Sequence, residues 1–137
     1  MTDIEKLKRD LRLHDELHEN YCLITKLAII CLERGLKMIF ENPAGTQHYL
    51  TRYWCLKPSI IDKDRRQNGD ALKKPTQYWF IGCKPKQNII FEVLDWVETK
   101  TIDGLSTKER SEIHPQYANR FIRQYILDKK EVKNECV

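Results

Sequence analysis

A ten-residue stretch, Leu36-Lys37-Met38-Ile39-Phe40-Glu41-Asn42-Pro43-Ala44-Gly45, constrains the fold of this chain more than any other. Gly35, just before it, suits the left-handed position that closes a helix, because it has no Cβ to clash there. Met38, Ile39 and Phe40 are too few for a helix but enough for a buried parallel strand. Pro43 cannot donate to a sheet ladder and pushes Asn42 out of the helical region, so the strand must stop there. Glu41 and Asn42 are thereby expected at the carboxyl end of a strand in an α/β unit, where open α/β sheets bind their ligands. A polar pair ending a strand is also what an ordinary solvated turn looks like, so the pair takes its meaning from the rest of the chain.

Upstream, Thr2-Asp3-Ile4-Glu5 has capping-box spacing, and Ile4, Leu7 and Leu11 recur at helical intervals, which predicts a short first helix. A second helix is expected over residues 15–34, because Leu17, Tyr21, Ile24, Ala28 and Cys31 make one apolar face that ends at Gly35. His14, His18 and Cys22 fall four residues apart, the spacing of metal ligands on a helix. No fourth ligand lies nearby in sequence, so they read as the polar flank of that helix and no metal is expected.

Downstream, Tyr49 to Lys57 is aromatic enough to hold a strand, although Tyr49 to Tyr53 also fits a short helix. Asp62 to Lys74 has almost no apolar residue and reads as a loop. Pro75-Thr76-Gln77-Tyr78-Trp79-Phe80-Ile81-Gly82 makes a strand opened by proline and closed by glycine, pairing antiparallel with one drawn from 49–57. Ile89 to Leu94 offers a third short strand, and residues 95–112 read as loop. Pro115 opens a closing helix over 115–127, with Tyr117, Phe121, Ile122, Tyr125 and Ile126 on one face and Lys129-Lys130 at its carboxyl end. Residues 1–13 read as an N-terminal extension of a single domain, and 128–137 as a frayed tail.

With 137 residues, 41% hydrophobic and 32% charged, the chain is globular with room for a modest core. No apolar run approaches membrane-spanning length, and Met1 to Asp10 is too polar for a signal peptide. The five cysteines are odd in number and lack close pairing, which points to reduced thiols in a cytoplasm and no membrane partner. The net charge of +4 is unevenly placed. Residues 1–50 hold seven Lys/Arg against eight Asp/Glu, and residues 91–137 hold eight against nine, while residues 51–90 hold nine against three. A basic segment in an otherwise balanced chain points towards an anionic partner, with nucleic acid first, and a lysine-rich solvated hairpin stands beside that reading.

Three stretches carry a family resemblance: Phe40-Glu41-Asn42-Pro43, Lys74-Pro75-Thr76-Gln77-Tyr78-Trp79, and Arg110-Ser111-Glu112-Ile113-His114-Pro115. In order and spacing the chain resembles the C-terminal half of phage and prophage DNA methyltransferase-like proteins, relatives of the cytosine-5 methyltransferases, over most of residues 14–127. The resemblance implies an α/β fold: part of a Rossmann-like methyltransferase sheet, about three mixed strands, flanked by helices. It implies that Glu41 and Asn42 match the catalytic pair that binds the target ring, the carboxyl group hydrogen-bonding N3 while a Pro-Cys nucleophile attacks C6 of a flipped cytosine. Pro43 departs from the valine common among the cytosine enzymes.

On the same reading, Arg52, Arg65, Arg66, Lys73, Lys74 and Thr76 face the nucleic acid. None of the five cysteines follows a proline, and Gly35 is the first glycine, so the turn that would hold S-adenosylmethionine and the nucleophile are not encoded. By the resemblance, the chain begins where the cofactor half would already have finished. The expected partners are DNA, a separate cofactor-bearing subunit, and a second copy recruited through an exposed sheet edge. The alternative is a non-catalytic module that binds nucleic acid or protein.

Overall fold

The computed structural model describes residues 1–45 and 48–129. Residues 130–137, most of the tail expected to fray, lie outside that range, as does Cys136. Among the described residues, one long helix and seven short elements build an α/β fold around a three-stranded antiparallel sheet.

Helix α1 runs unbroken from Asp3–Arg34, so the two helices expected from the sequence are one. The apolar stripe weakens around His14, but no glycine or proline lies between Thr2 and Gly35 to stop the ladder. The capping box forms as expected, with Glu5 N–H donating to Thr2 Oγ1 at 3.3 Å and Thr2 N–H donating to Glu5 Oε2 at 2.6 Å. Gly35 closes the helix at φ +65°, and Leu36 N–H reaches back to Cys31 O at 2.8 Å.

The chain turns directly into β1 (Met38–Pro43), then α2 (Tyr49–Arg52), β2 (Ile60–Asp62) and β3 (Thr76–Ile81). The strand order is β1-β3-β2, with β3 antiparallel to both neighbours. This corrects two expectations. First, β1 is an antiparallel edge strand, whereas the sequence suggested a buried parallel one. Every residue of β3 is buried, and the middle strand is where such a run belongs, while Glu41 on β1 is exposed. Second, β3 does not pair with a strand from 49–57. Leu50 and Trp54, four apart, are buried together at α2, so the helical alternative for that stretch is the one adopted.

The sheet is covered on both faces. On one side Trp79 and Ile81 of β3 pack with Leu50, Trp54 and Ala28, and Phe40 stacks on Trp79 at 5.2 Å between ring centres. Trp54 Nε1 donates to Thr25 Oγ1 at 3.0 Å and Trp79 Nε1 to Leu56 O at 3.1 Å, so the buried indoles leave no orphaned donor. On the other side Tyr78 and Phe80 meet Tyr117 and Phe121 of the closing helix.

The remaining elements also differ from the sequence reading. Asp62 to Lys74 is not a plain loop, because Arg65–Asn68 forms a 3-10 turn capped by the Asp64 side chain. Ile89 to Leu94, expected as a strand, forms none and joins no sheet among the described residues. Helix α3 (Thr107–Ser111), capped by Ser106 Oγ, interrupts what reads as loop. Helix α4 (Pro115–Tyr125) begins at the expected proline, with Gln116 N–H capped by His114 Nδ1 at 3.1 Å.

Gly82 locks β3 to the joint between α1 and β1. It sits at φ +72°, and a Cβ there would lie 2.6 Å from Leu36 O, a backbone atom that cannot swing away. Gly82→Ala is therefore expected to lower the unfolding free energy by about 1–3 kcal/mol, the usual range for a forced left-handed residue. Urea denaturation measures it, and an unchanged midpoint contradicts the packing.

Candidate functional site

Pro43 ends β1 opposite Thr76, and Ala44 N–H donates to Pro75 O at 2.9 Å, which fixes Glu41 and Asn42 at the strand's carboxyl end. Glu41 lies opposite Tyr78, and Tyr78 in turn lies opposite Ile60 on the far strand. Residues directly opposite share a face, so Glu41 stands on the α4 side of the sheet and Asn42, one residue on, on the α1 side. Along the next row of that α4 side come Pro43, Thr76 and Asp62. The sheet thus carries two carboxylates, Glu41 and Asp62, on its outer strands, with Tyr78 between them.

Tyr117 of α4 completes the cluster. Its hydroxyl donates to Asp62 Oδ2 at 2.9 Å and lies 2.8 Å from the Tyr78 hydroxyl, which leaves Tyr78 as donor to Tyr117. Asn68 Nδ2 also donates to Asp62 Oδ2 at 3.1 Å, and Asp64 N–H to Asp62 Oδ1 at 3.1 Å. Burial pushes the Tyr78 phenol up to about 12. Burial pushes Tyr117 higher still, reinforced by its hydrogen bond with Tyr78 and by the Asp62 charge. Both phenols are therefore held neutral as hydrogen-bond donors and are poor proton acceptors. A cavity of about 370 Å³ opens beside them, bounded by Asp62, Gln67, Tyr117, Arg120, Gln124 and Tyr125.

The six residues expected to face nucleic acid do not form one surface. Arg65 is 1% exposed. Its guanidinium grips Asp70 through Nε at 2.9 Å and through Nη2, donates to Glu112 O at 3.0 Å, and lies over the Tyr117 ring. A phosphate has no access to it. Thr76 is fully buried, its hydroxyl donating to Lys74 O at 2.9 Å. Both are structural: Arg65 is enclosed by α4 and the segment preceding it, far away in sequence, and Thr76 by its place in the central strand. Arg52, Arg66 and Lys73 are exposed, and Lys74 is half-buried with its ammonium donating to Arg110 O at 2.8 Å. Arg66 is paired with Asp64 at 2.8 Å, which holds that carboxyl below its ordinary range.

The sequence reading overlooked Asp62, Tyr78, Tyr117 and Arg120. Asp62 was legible as one of three acids inside a basic segment, next to an apolar Ile60-Ile61 pair. Tyr117 carried only the signal of a helix face.

His18 Nε2 lies 3.6 Å from Cys22 Sγ, but no group of three potential metal ligands converges among the described residues. Gly35 and Gly69 cap a helix and a turn, and the space at Gly82 is filled by the chain's own Leu36. Cys22, Cys31, Cys55 and Cys83 are free thiols. No described helix is long and apolar enough to cross a membrane. Comparison with protein-family models, with curated proteins and with solved structures finds no match to this chain.

Proposed function

We propose that this chain is the DNA-facing, base-recognising half of a DNA methyltransferase-like protein, inactive alone and completed by a cofactor-bearing partner. One observation carries the reading. Strands β1 and β2 both run antiparallel to β3 and so share a direction, helices cover both faces, and the outer edge of β1 pairs with no strand among the described residues. Doubly wound sheets often carry one reversed strand near the edge of an otherwise parallel array. In such a sheet the next parallel strand would join at β1, beside Glu41 and Asn42 at its carboxyl end, the position for ligand contact. Rossmann-like topology is in this way a property of the completed sheet, to which these three strands supply one margin.

In this reading Glu41 serves the target base, and Arg52, Arg66, Lys73 and Lys74 position the duplex without reading its sequence. The test measures binding of the full chain to a short DNA duplex across a salt series. Binding should weaken linearly on a logarithmic scale, and replacing the four cations with alanine should flatten that slope by up to about 0.9 for each phosphate no longer neutralised. Glu41→Gln should leave affinity intact or slightly raised, since it removes a negative charge from the surface. Calorimetry of the chain alone should show no saturable S-adenosylmethionine binding. A four-alanine variant that binds like the parent, or a one-to-one cofactor complex, overturns the assignment. The non-catalytic nucleic-acid module shares the DNA result but predicts that no partner restores turnover sensitive to Glu41→Gln.

A further inference from the structure

Residues 89–94 belong to no helix, strand or turn. Among the described residues none of the segment's backbone groups makes a hydrogen bond. It is held at both ends. Asn88 N–H donates to Gln124 O at 3.0 Å, and Asp95 N–H donates to Gln116 Oε1 at 2.7 Å. In the middle Glu92 is anchored to α4 through Arg123 and, at 3.6 Å, through Arg120. Those anchors turn the alternate residues outward. Ile89, Phe91 and Val93 are 74%, 87% and 97% exposed, and Trp96 beyond them is 86% exposed. Six residues of backbone without a protein partner, beside an outward apolar row, are open to pairing with a strand from outside.

The flanking charges say which strand. Lys84 and Lys86 precede the segment, and Asp95 and Glu98 follow it. We infer that this segment pairs antiparallel with the same segment of a second copy of this chain, about a two-fold axis at Phe91. That register sets Ile89 level with Val93 of the other copy, Phe91 level with Phe91, and Lys84 level with Glu98. An in-register parallel pair would instead set Lys84 on Lys84 and Glu98 on Glu98. The antiparallel arrangement is isologous and closed, so it stops at a dimer. It satisfies the idle backbone groups and places the apolar side chains beside one another as cross-strand pairs. The inference is independent of any role in methylation, and it concerns an edge other than that of β1.

The test is sedimentation of the full chain, whose mass is 16.4 kDa, over a range of concentrations. A dimer that dissociates on dilution is expected. Phe91→Glu places two carboxylates at the axis and should raise the dissociation constant at least about tenfold. Its circular dichroism, and its unfolding midpoint at dilutions where both proteins are monomeric, should match the parent, because Phe91 contacts solvent. Lys84→Glu alone and Glu98→Lys alone should each weaken the dimer, since each self-pair then opposes like charges. An equimolar mixture of those two variants should restore it, because both flanking positions are then acidic on one copy and basic on the other. A parent chain still monomeric at about 1 mM overturns the inference, as does a dimer indifferent to Phe91→Glu, or a mixture no tighter than its components.

Discussion

Arg65→Ala is expected to cost about 3–5 kcal/mol of folding stability, the range for breaking a buried ion pair from one side. The mutation strands the Asp70 carboxylate, whose side chain is 2% exposed, in a pocket built around the guanidinium. Ala71 N–H at 2.6 Å, Leu72 N–H at 3.1 Å and His114 N–H at 3.4 Å still donate to Asp70, but three backbone dipoles do not replace a full positive charge. Arg65 also ties the 3-10 turn to the segment entering α4 through Glu112 O, so the loss spreads to the way α4 is seated. Lysine at this position keeps the charge but cannot form the fork, and should recover only part of the loss. The double variant Arg65→Ala/Asp70→Ala should be less destabilised than the sum of its singles, because it removes the stranded charge. Denaturant midpoints give all three values. A phosphate-binding Arg65 would behave oppositely, leaving the midpoint in place and weakening only DNA affinity.

That contrast shows where sequence reasoning stopped. Arg65 and Arg66 are adjacent and chemically alike, and the charge count treats them alike. One is buried under α4 and the other is paired with Asp64 at the surface. The difference lies in contacts spanning some 47 residues, from the turn at 65 to Glu112, and composition within the segment cannot register them. Local signals fared better because their causes are local. Thr2 with Glu5, Gly35 after α1, Pro75 and Gly82 around β3, and Pro115 at the start of α4 each act within a few residues, and each ended or opened an element as expected.

Strand order was less legible. The short run Met38-Ile39-Phe40 reads as a core strand in isolation, and only the presence of a wholly buried neighbour in β3 demotes it to an edge. Strand β2 was missed because three residues, Ile60-Ile61-Asp62, show no alternation at all. With it went the position of Asp62 opposite Thr76, and hence the tyrosine cluster that Asp62 anchors.

The cluster should make the fold sensitive to alkali. A tyrosine in an unfolded chain titrates near 10, whereas Tyr78 is pushed up to about 12 by burial, and Tyr117 is pushed up further. A raised acid pKa means the folded state keeps its proton when the unfolded state has lost it, so stability falls as pH rises. The contribution is complete below about pH 10 and is withdrawn between there and the folded value. For Tyr78 alone a shift from 10 to about 12 corresponds to about 3 kcal/mol withdrawn across that window, and Tyr117 extends the loss upward. Tyr117→Phe removes the donor to Asp62 and the acceptor for Tyr78, and should cost about 1.5–3 kcal/mol at neutral pH, where a charged acceptor is left short of a partner. The same variant should lose stability less steeply above pH 10, because one of the two raised phenols is gone. Denaturant midpoints of parent and variant at pH 8, 10 and 11 therefore converge. Parallel curves would mean that Tyr117 is not the group whose ionisation opens the interface between α4 and the sheet.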